Sequence, residues 1–104
     1  MEEIQIKENI FRIKQMNAIE LLSLRPQLSF ENYDSTYTLY NLLLEKLEVE
    51  INGKWLPVKE KGRDIYYPKN IENDFETLEK LTTFMLDYLK QVFQVSNKSK
   101  KEQE

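Results

Sequence analysis

An Asn-Gly pair between two β-rich runs is the feature that most constrains how this chain can fold. The pair, Asn52-Gly53, separates residues 48–51 from residues 54–58. A two-residue hairpin turn of type I′ requires a positive φ at both central residues, which Asn and Gly adopt readily. The two runs are therefore predicted to form a β-hairpin. Pro57 has no N–H to donate, so we expect the second strand to lie at a sheet edge or to end nearby.

Helical periodicity dominates the last third of the chain. From residue 73 onward, apolar side chains recur at three- and four-residue spacing for about twenty residues. They are Phe75, Leu78, Leu81, Met85, Tyr88, Leu89, Val92 and Phe93. The pattern predicts a long helix whose apolar stripe faces the core. Phe84 and Leu86 fall outside the stripe, so the apolar surface of the helix is wider than one core contact needs.

The N-terminal part of the chain predicts a strand followed by a short helix. Apolar and polar residues alternate before and after residue 9, which indicates extended structure and predicts a strand over 9–15. Asn17 and Glu20 have the spacing of a capping box, which predicts a helix over 18–25. Pro26 should end that helix or kink it, because it lacks a donor N–H.

Two further elements are predicted in the middle of the chain. After a connector over 28–34, apolar residues at helical spacing predict a second helix over 35–47, with Asp34 and Ser35 as candidate caps. The residues 64–68 are compatible with a further short strand. Between this segment and the hairpin lies a charged loop.

These elements indicate one mainly helical α+β domain with a long C-terminal helix and an Asn-Gly β-hairpin. A chain of 104 residues fits a single domain, which we place at 1–95. Residues 96–104 contain no apolar side chain and are predicted to form a flexible polar tail. The longest apolar runs are too short to cross a bilayer, and the N-terminus lacks a secretory pattern, so we expect a cytoplasmic protein.

The composition disfavours enzymatic catalysis, metal sites, and the binding of nucleotides or nucleic acid. The chain contains no His and no Cys, which removes thiolate metal ligands and the commonest general base. With only 2 glycines it cannot assemble a Gly-rich phosphate loop. A net charge of −3 argues against a protein that tracks the phosphates of nucleic acid. We therefore predict no enzymatic activity, no metal and no cofactor.

Three charged groups have a functional and a simpler interpretation, and we favour the simpler one in each case. Glu48 and Glu50 resemble a carboxylate pair but fit a solvated sheet face. Lys59, Lys61 and Arg63 resemble a basic patch but fit a loop of mixed charge. The acidic residues near the start of the long helix could bind a cation or complement the helix dipole. They are Glu72, Asp74, Glu76 and Glu79.

Five apolar or aromatic residues are candidates for binding another protein. Trp55, Tyr66 and Tyr67 are of the type that anchors interfaces, although Trp55 could equally pack the hairpin onto the helices of its own domain. Phe84 and Leu86 add apolar surface to the long helix and could support self-association or a partner.

Three segments resemble the short tail assembly chaperones of long-tailed bacteriophages that infect Gram-positive bacteria. They are FRIKQMNAIELLSLR at 11–25, QLSF at 27–30 and KWLPV at 54–58. The similarity extends over roughly residues 10–95 and follows a general pattern rather than a catalytic signature.

The resemblance implies a protein that coats the tape measure protein, keeps it soluble, and is displaced as tail-tube subunits polymerise. It also implies a longer product made by ribosomal frameshifting near the end of the reading frame, where Lys100-Lys101 is compatible with a slippery run of codons. Two alternatives remain open. One is a small structural phage component, such as a head-tail joining or tail terminator subunit. The other is an acidic regulatory or inhibitory module that binds proteins.

Overall fold

The computed structural model describes the backbone of residues 2–24 and 34–103, and the side chains of residues 2–24 and 40–93. The strands are β1 (Glu3–Ile6), β2 (Asn9–Ile13), β3 (Leu47–Ile51) and β4 (Lys54–Pro57). The helices are α1 (Ala18–Leu24), α2 (Asp34–Glu45) and α3 (Phe75–Gln103), the last preceded by a short 3₁₀ helix, Ile71–Asn73. The α+β class predicted from the sequence is confirmed.

The strands form one antiparallel sheet in the order β1-β2-β3-β4, with α1 and α2 inserted between β2 and β3. The predicted Asn-Gly hairpin is confirmed: φ is 53° at Asn52 and 80° at Gly53, and Ile51 pairs with Lys54 across the turn. The strand β4 lies at the edge of the sheet and ends at Pro57, as its missing N–H predicts.

A second hairpin joins β1 to β2 and was not predicted as a hairpin. The alternating pattern predicts extended structure on both sides of residue 9 but does not predict the turn between β1 and β2. Lys7 lies in that turn and has a φ of 55°. The predicted strand over 9–15 ends at Ile13. Ile6 pairs with Asn9, so the turn has two residues and its first position requires a positive φ. Lys adopts this conformation less readily than Gly or Asn, and the Lys7 Nζ also lies 3.0 Å from Oδ2 of Asp74.

The sheet has one buried face and one partly exposed face. Alternate residues along a strand point to opposite faces, and Phe11 and Val49, which pair across β2 and β3, are completely buried. Their neighbours Arg12 and Glu48 point to the other face and remain partly exposed. The buried residues form the core with the helices: Ile6, Phe11, Ile13, Leu24, Leu43, Leu44, Leu47, Val49, Val58, Ile71, Leu81, Met85 and Leu89.

The helices begin where capping chemistry places them. The backbone N–H of Glu20 donates to Oδ1 of Asn17 at 2.8 Å, and the backbone N–H of Asn17 lies 3.5 Å from Oε1 of Glu20, which confirms the predicted capping box. The second helix ends at Glu45, earlier than the predicted 47, because Leu47 already belongs to β3.

The strand predicted over 64–68 is wrong. That segment makes only an isolated bridge between Lys59 and Tyr66. The loop folds back on itself, so that the Tyr67 N–H donates to the Val58 carbonyl at 2.8 Å. Pro68 follows at once and has no N–H with which to extend the pairing.

Two predictions concern segments at the margins of the described structure. The effect of Pro26 and the connector up to residue 33 lie outside the described residues. The backbone of α3 continues through the polar segment to Gln103. The domain boundary at 95 and the flexibility of 96–104 stay predictions.

Candidate protein-binding groove

The start of α3 is fixed by Asp74. Its Oδ1 accepts the backbone N–H of Thr77 at 3.2 Å, and its Oδ2 accepts the Thr77 hydroxyl at 2.7 Å. The hydrogen bonds from Thr77 and then Lys7 lower the pKa of Asp74 to about 2. Asp74 is therefore the N-cap, which confirms the simpler interpretation for this member of the acidic cluster.

Capping at Asp74 places Phe75 at the first position of the helix, where it is 79% exposed. Helical spacing alone assigns Phe75 to the core stripe of α3, and that prediction is wrong. The stripe is half-buried at Leu78 and becomes fully buried at Leu81, six residues after Phe75. The pattern Asp-x-x-Thr is the signal that could have located Phe75 at the helix start.

Phe75 borders an open apolar groove between α2 and α3, with a volume of about 350 Å³. Leu44 from α2 and Leu78 from α3 contribute aliphatic walls, and two tyrosines, Tyr40 and Tyr66, add aromatic surface. Tyr40 is 43% exposed. An isolated exposed apolar side chain is ordinary, but these side chains share one concavity, which is the usual form of a site for a partner side chain.

The rim of this groove is acidic. Glu72 and Glu79 line it, and both are exposed. The other lining residues among those described are uncharged. The groove therefore combines an apolar floor with carboxylates that remain in water.

A second groove of about 430 Å³ lies on the other side of α3, beside β1. Ile4 and Phe84 provide its apolar surface. Its charged lining includes Glu79, which borders both grooves, and Lys80, which pairs with Glu76 at 3.2 Å. Phe84 is half-buried and packs against the core, so it offers less free surface than Phe75 does.

Trp55 lies on the sheet face that points away from the core. It pairs with Glu50, which is exposed on that face. The Arg12 guanidinium lies 4.0 Å from the centre of the Trp55 ring, and its Nε donates to Oε1 of Glu48 at 2.8 Å. Packing of Trp55 onto the helices of its own domain is therefore wrong; a cation–π contact holds it instead.

The candidate binding residues do not form one surface. Tyr66 lines the groove between α2 and α3, Phe84 lines the second groove, and Trp55 lies on the opposite sheet face. Tyr67 and Leu86 are half-buried and pack against the core. Tyr40 and Phe75, which dominate the exposed surface of the first groove, were not among the candidates.

The loop after the hairpin is not a basic patch. Lys59 is only 6% exposed, and its Nζ lies 3.3 Å from Oε1 of Glu45 at the end of α2. Lys61 and Arg63 remain exposed near Glu60 and Asp64. The interpretation as a loop of mixed charge is correct for the exposed part and wrong for Lys59.

Comparisons with family models, with curated proteins and with solved structures gave no match to this chain. Within the described residues, no group of acidic side chains is arranged to hold a metal ion. None of the helices in that part of the chain is long and apolar enough to cross a membrane.

Proposed function

We propose that this protein is a non-enzymatic tail assembly chaperone that works in the bacterial cytoplasm, binds the phage tape measure protein and keeps it soluble until tail-tube subunits replace it. The observation that carries the proposal is the groove at Phe75. A small compact domain that leaves a phenylalanine 79% exposed beside an apolar concavity has a surface suited to another protein.

The form of the groove suits reversible binding. A volume of about 350 Å³ accommodates one or two large side chains and not a whole helix face. Each contact is then weak, and a long repetitive partner gains its affinity from many copies of the chaperone bound along it. Weak individual contacts also allow tail-tube subunits to displace the chaperone one copy at a time.

The tape measure protein is proposed as the partner because the segments at 11–25, 27–30 and 54–58 resemble the tail assembly chaperones, and the exposed groove supports a holding role. No cofactor is needed for such a role. Binding through α2 and α3 replaces the earlier hypothesis of contacts through Phe84, Leu86 and Trp55, because Phe75 is far more exposed than Phe84 or Leu86.

The test is co-expression of the tape measure protein with this chain and measurement of the soluble fraction. Wild-type chain should raise that fraction, and Phe75→Ser should abolish most of the gain. Ile19→Ser is the matched control, because Ile19 is also 79% exposed but lies on α1, away from the groove. Both variants should unfold at nearly the wild-type temperature, since neither side chain is buried.

An unchanged soluble fraction with wild-type chain would overturn the proposal. Recovery of the chain in purified phage particles would favour a structural subunit instead. Mass spectrometry of the products of the native gene, with its downstream sequence, should also detect a longer form that shares this N-terminus.

A further inference from the structure

We infer that the groove between α2 and α3 binds a basic amphipathic segment, in which an aromatic or long aliphatic side chain is flanked by Lys or Arg. The inference rests on the proposed function and specifies the chemistry of the partner. It follows from the apolar floor beside Phe75 together with the charge of the rim.

The floor selects the central side chain. Tyr40, Leu44, Phe75 and Leu78 present carbon surface, and the lining of the groove is mostly apolar. Aromatic and long aliphatic side chains gain most from filling such a concavity, because they displace the most water from apolar surface.

The rim selects the flanking charges. Glu72, from the short 3₁₀ helix, and Glu79, one turn after Phe75 on α3, both line the groove together with Phe75. Within the described structure neither carboxylate takes part in an ion pair, and no Lys or Arg lines the groove. A basic partner can therefore pair with both, whereas an acidic one would be repelled.

The same charges disfavour a second copy of this chain as the occupant. Each copy carries a net charge of −3. Among the described residues, the most exposed apolar side chain outside the groove is that of Ile19, and the acidic Glu20 follows it directly in the sequence. A partner with an excess of Lys and Arg around its apolar residues fits the rim better than this surface does.

The test is fluorescence anisotropy of a dye-labelled synthetic helical peptide of about 15 residues, with Leu and Phe on one face and Lys on both flanks. A second peptide replaces every Lys with Glu. The basic peptide should bind the wild-type chain and the acidic peptide should not. Phe75→Ser should weaken binding of the basic peptide by roughly tenfold or more, and Ile19→Ser should leave it unchanged.

The contribution of the rim is measured with two double variants of equal charge. Glu72→Gln/Glu79→Gln should weaken binding roughly three- to tenfold at low salt, and the loss should shrink as salt is added. Glu8→Gln/Glu50→Gln removes the same charge from exposed positions outside the groove and should have a much smaller effect. Equal effects of the two double variants would show general attraction to an acidic protein and overturn the inference.

Other occupants give distinct results. Concentration-dependent dimerisation that Phe75→Ser abolishes would assign the groove to a second copy. Peptide binding seen only after Leu28 and Phe30 are both replaced by Ser would assign it to the chain's own segment. If neither peptide binds but tape measure solubility still depends on Phe75, the inference fails and the proposed function stands. If the peptides behave as expected but the tape measure is not solubilised, the inference about the groove stands and the proposed function fails.

Discussion

Breaking the ion pair between Glu45 and Lys59 should be among the most destabilising single changes in this domain. The two residues join the last turn of α2 to the loop after β4, and their side chains are 14% and 7% exposed. Among the described residues, the Lys59 ammonium has one carboxylate partner, Glu45 at 3.3 Å, and one further acceptor, the Glu60 carbonyl at 3.4 Å.

The size of the effect follows from burial. Glu45→Leu leaves a buried ammonium with a single carbonyl acceptor, which should lower the free energy of unfolding by about 3 kcal/mol. For a domain whose total stability is about 5–15 kcal/mol, that is a large share. Lys59→Met should cost less, because the Glu45 carboxylate is the more exposed partner. The double variant Glu45→Leu/Lys59→Met should lie within about 1 kcal/mol of the wild type, since apolar pairs often replace buried ion pairs without loss.

The assay is equilibrium urea unfolding of the four proteins at neutral pH. The slope of the free energy of unfolding against urea concentration should be the same for all four, as expected for two-state unfolding. The exposed pair of Lys80 and Glu76, at 3.2 Å, supplies the control: Glu76→Gln should change stability by less than about 0.5 kcal/mol. A Glu45→Leu cost below about 1 kcal/mol, or a double variant whose cost equals the sum of the singles, would refute the argument from burial.

Two further changes test the capping carboxylate and the Asn-Gly turn. The pKa of Asp74 is about 2 in the folded chain, against an ordinary 3.8. The ionised Asp74 therefore stabilises the fold at pH values above 3.8, and this stabilisation is lost as the pH falls toward 2. The wild type should therefore exceed Asp74→Asn in urea midpoint at neutral pH, and the difference should narrow on acidification; a constant difference would contradict the role of the charge. Gly53→Ala should cost about 1–2 kcal/mol through the left-handed backbone alone, since no atom lies within 4 Å of an added Cβ. Gly53→Asn should cost less in the same urea unfolding experiment, and equal losses would point to another cause.

The elements that the sequence predicts well are those whose determinants lie close together in the chain. Asn52-Gly53 sets its own backbone conformation, and the capping box at Asn17 and Glu20 is complete within one turn. The long helix follows from a stripe in which Leu81, Met85 and Leu89 are fully buried. In each case the local preference and the tertiary packing agree.

The predictions that the structure corrects concern segments whose conformation depends on strand pairing or on residues distant in the sequence. The pairing of β1 with β2 leaves a two-residue turn at Lys7 and Glu8 that requires a positive φ at Lys7, but neither residue is of a type that marks such a turn in a sequence. Lys59 carries the composition of a surface loop but is buried because Glu45 reaches it from α2. The segment 64–68 has the residue types of a strand but lies beside a loop and a proline, with no neighbouring strand to extend.

The candidate groove was missed for a related reason. Helical spacing assigns Phe75 to an apolar stripe but does not say where along the helix the core stops. The end of the core depends on how α2 and α3 lie against the sheet and against each other. Only the cap at Asp74 carries local information about that boundary.

The pairing of the first hairpin with the last helix affects how the chain folds during synthesis. Lys7 is translated long before Asp74, and the core residues Leu81, Met85 and Leu89 come later still. Until α3 leaves the ribosome, the inner face of the sheet is not yet covered by that helix. Lys7 likewise cannot yet form its ion pair with Asp74. Contacts this distant in sequence also slow folding. The nascent chain therefore completes its core only after α3 has been synthesised, and a ribosome stalled before residue 81 should hold a chain that proteases digest readily.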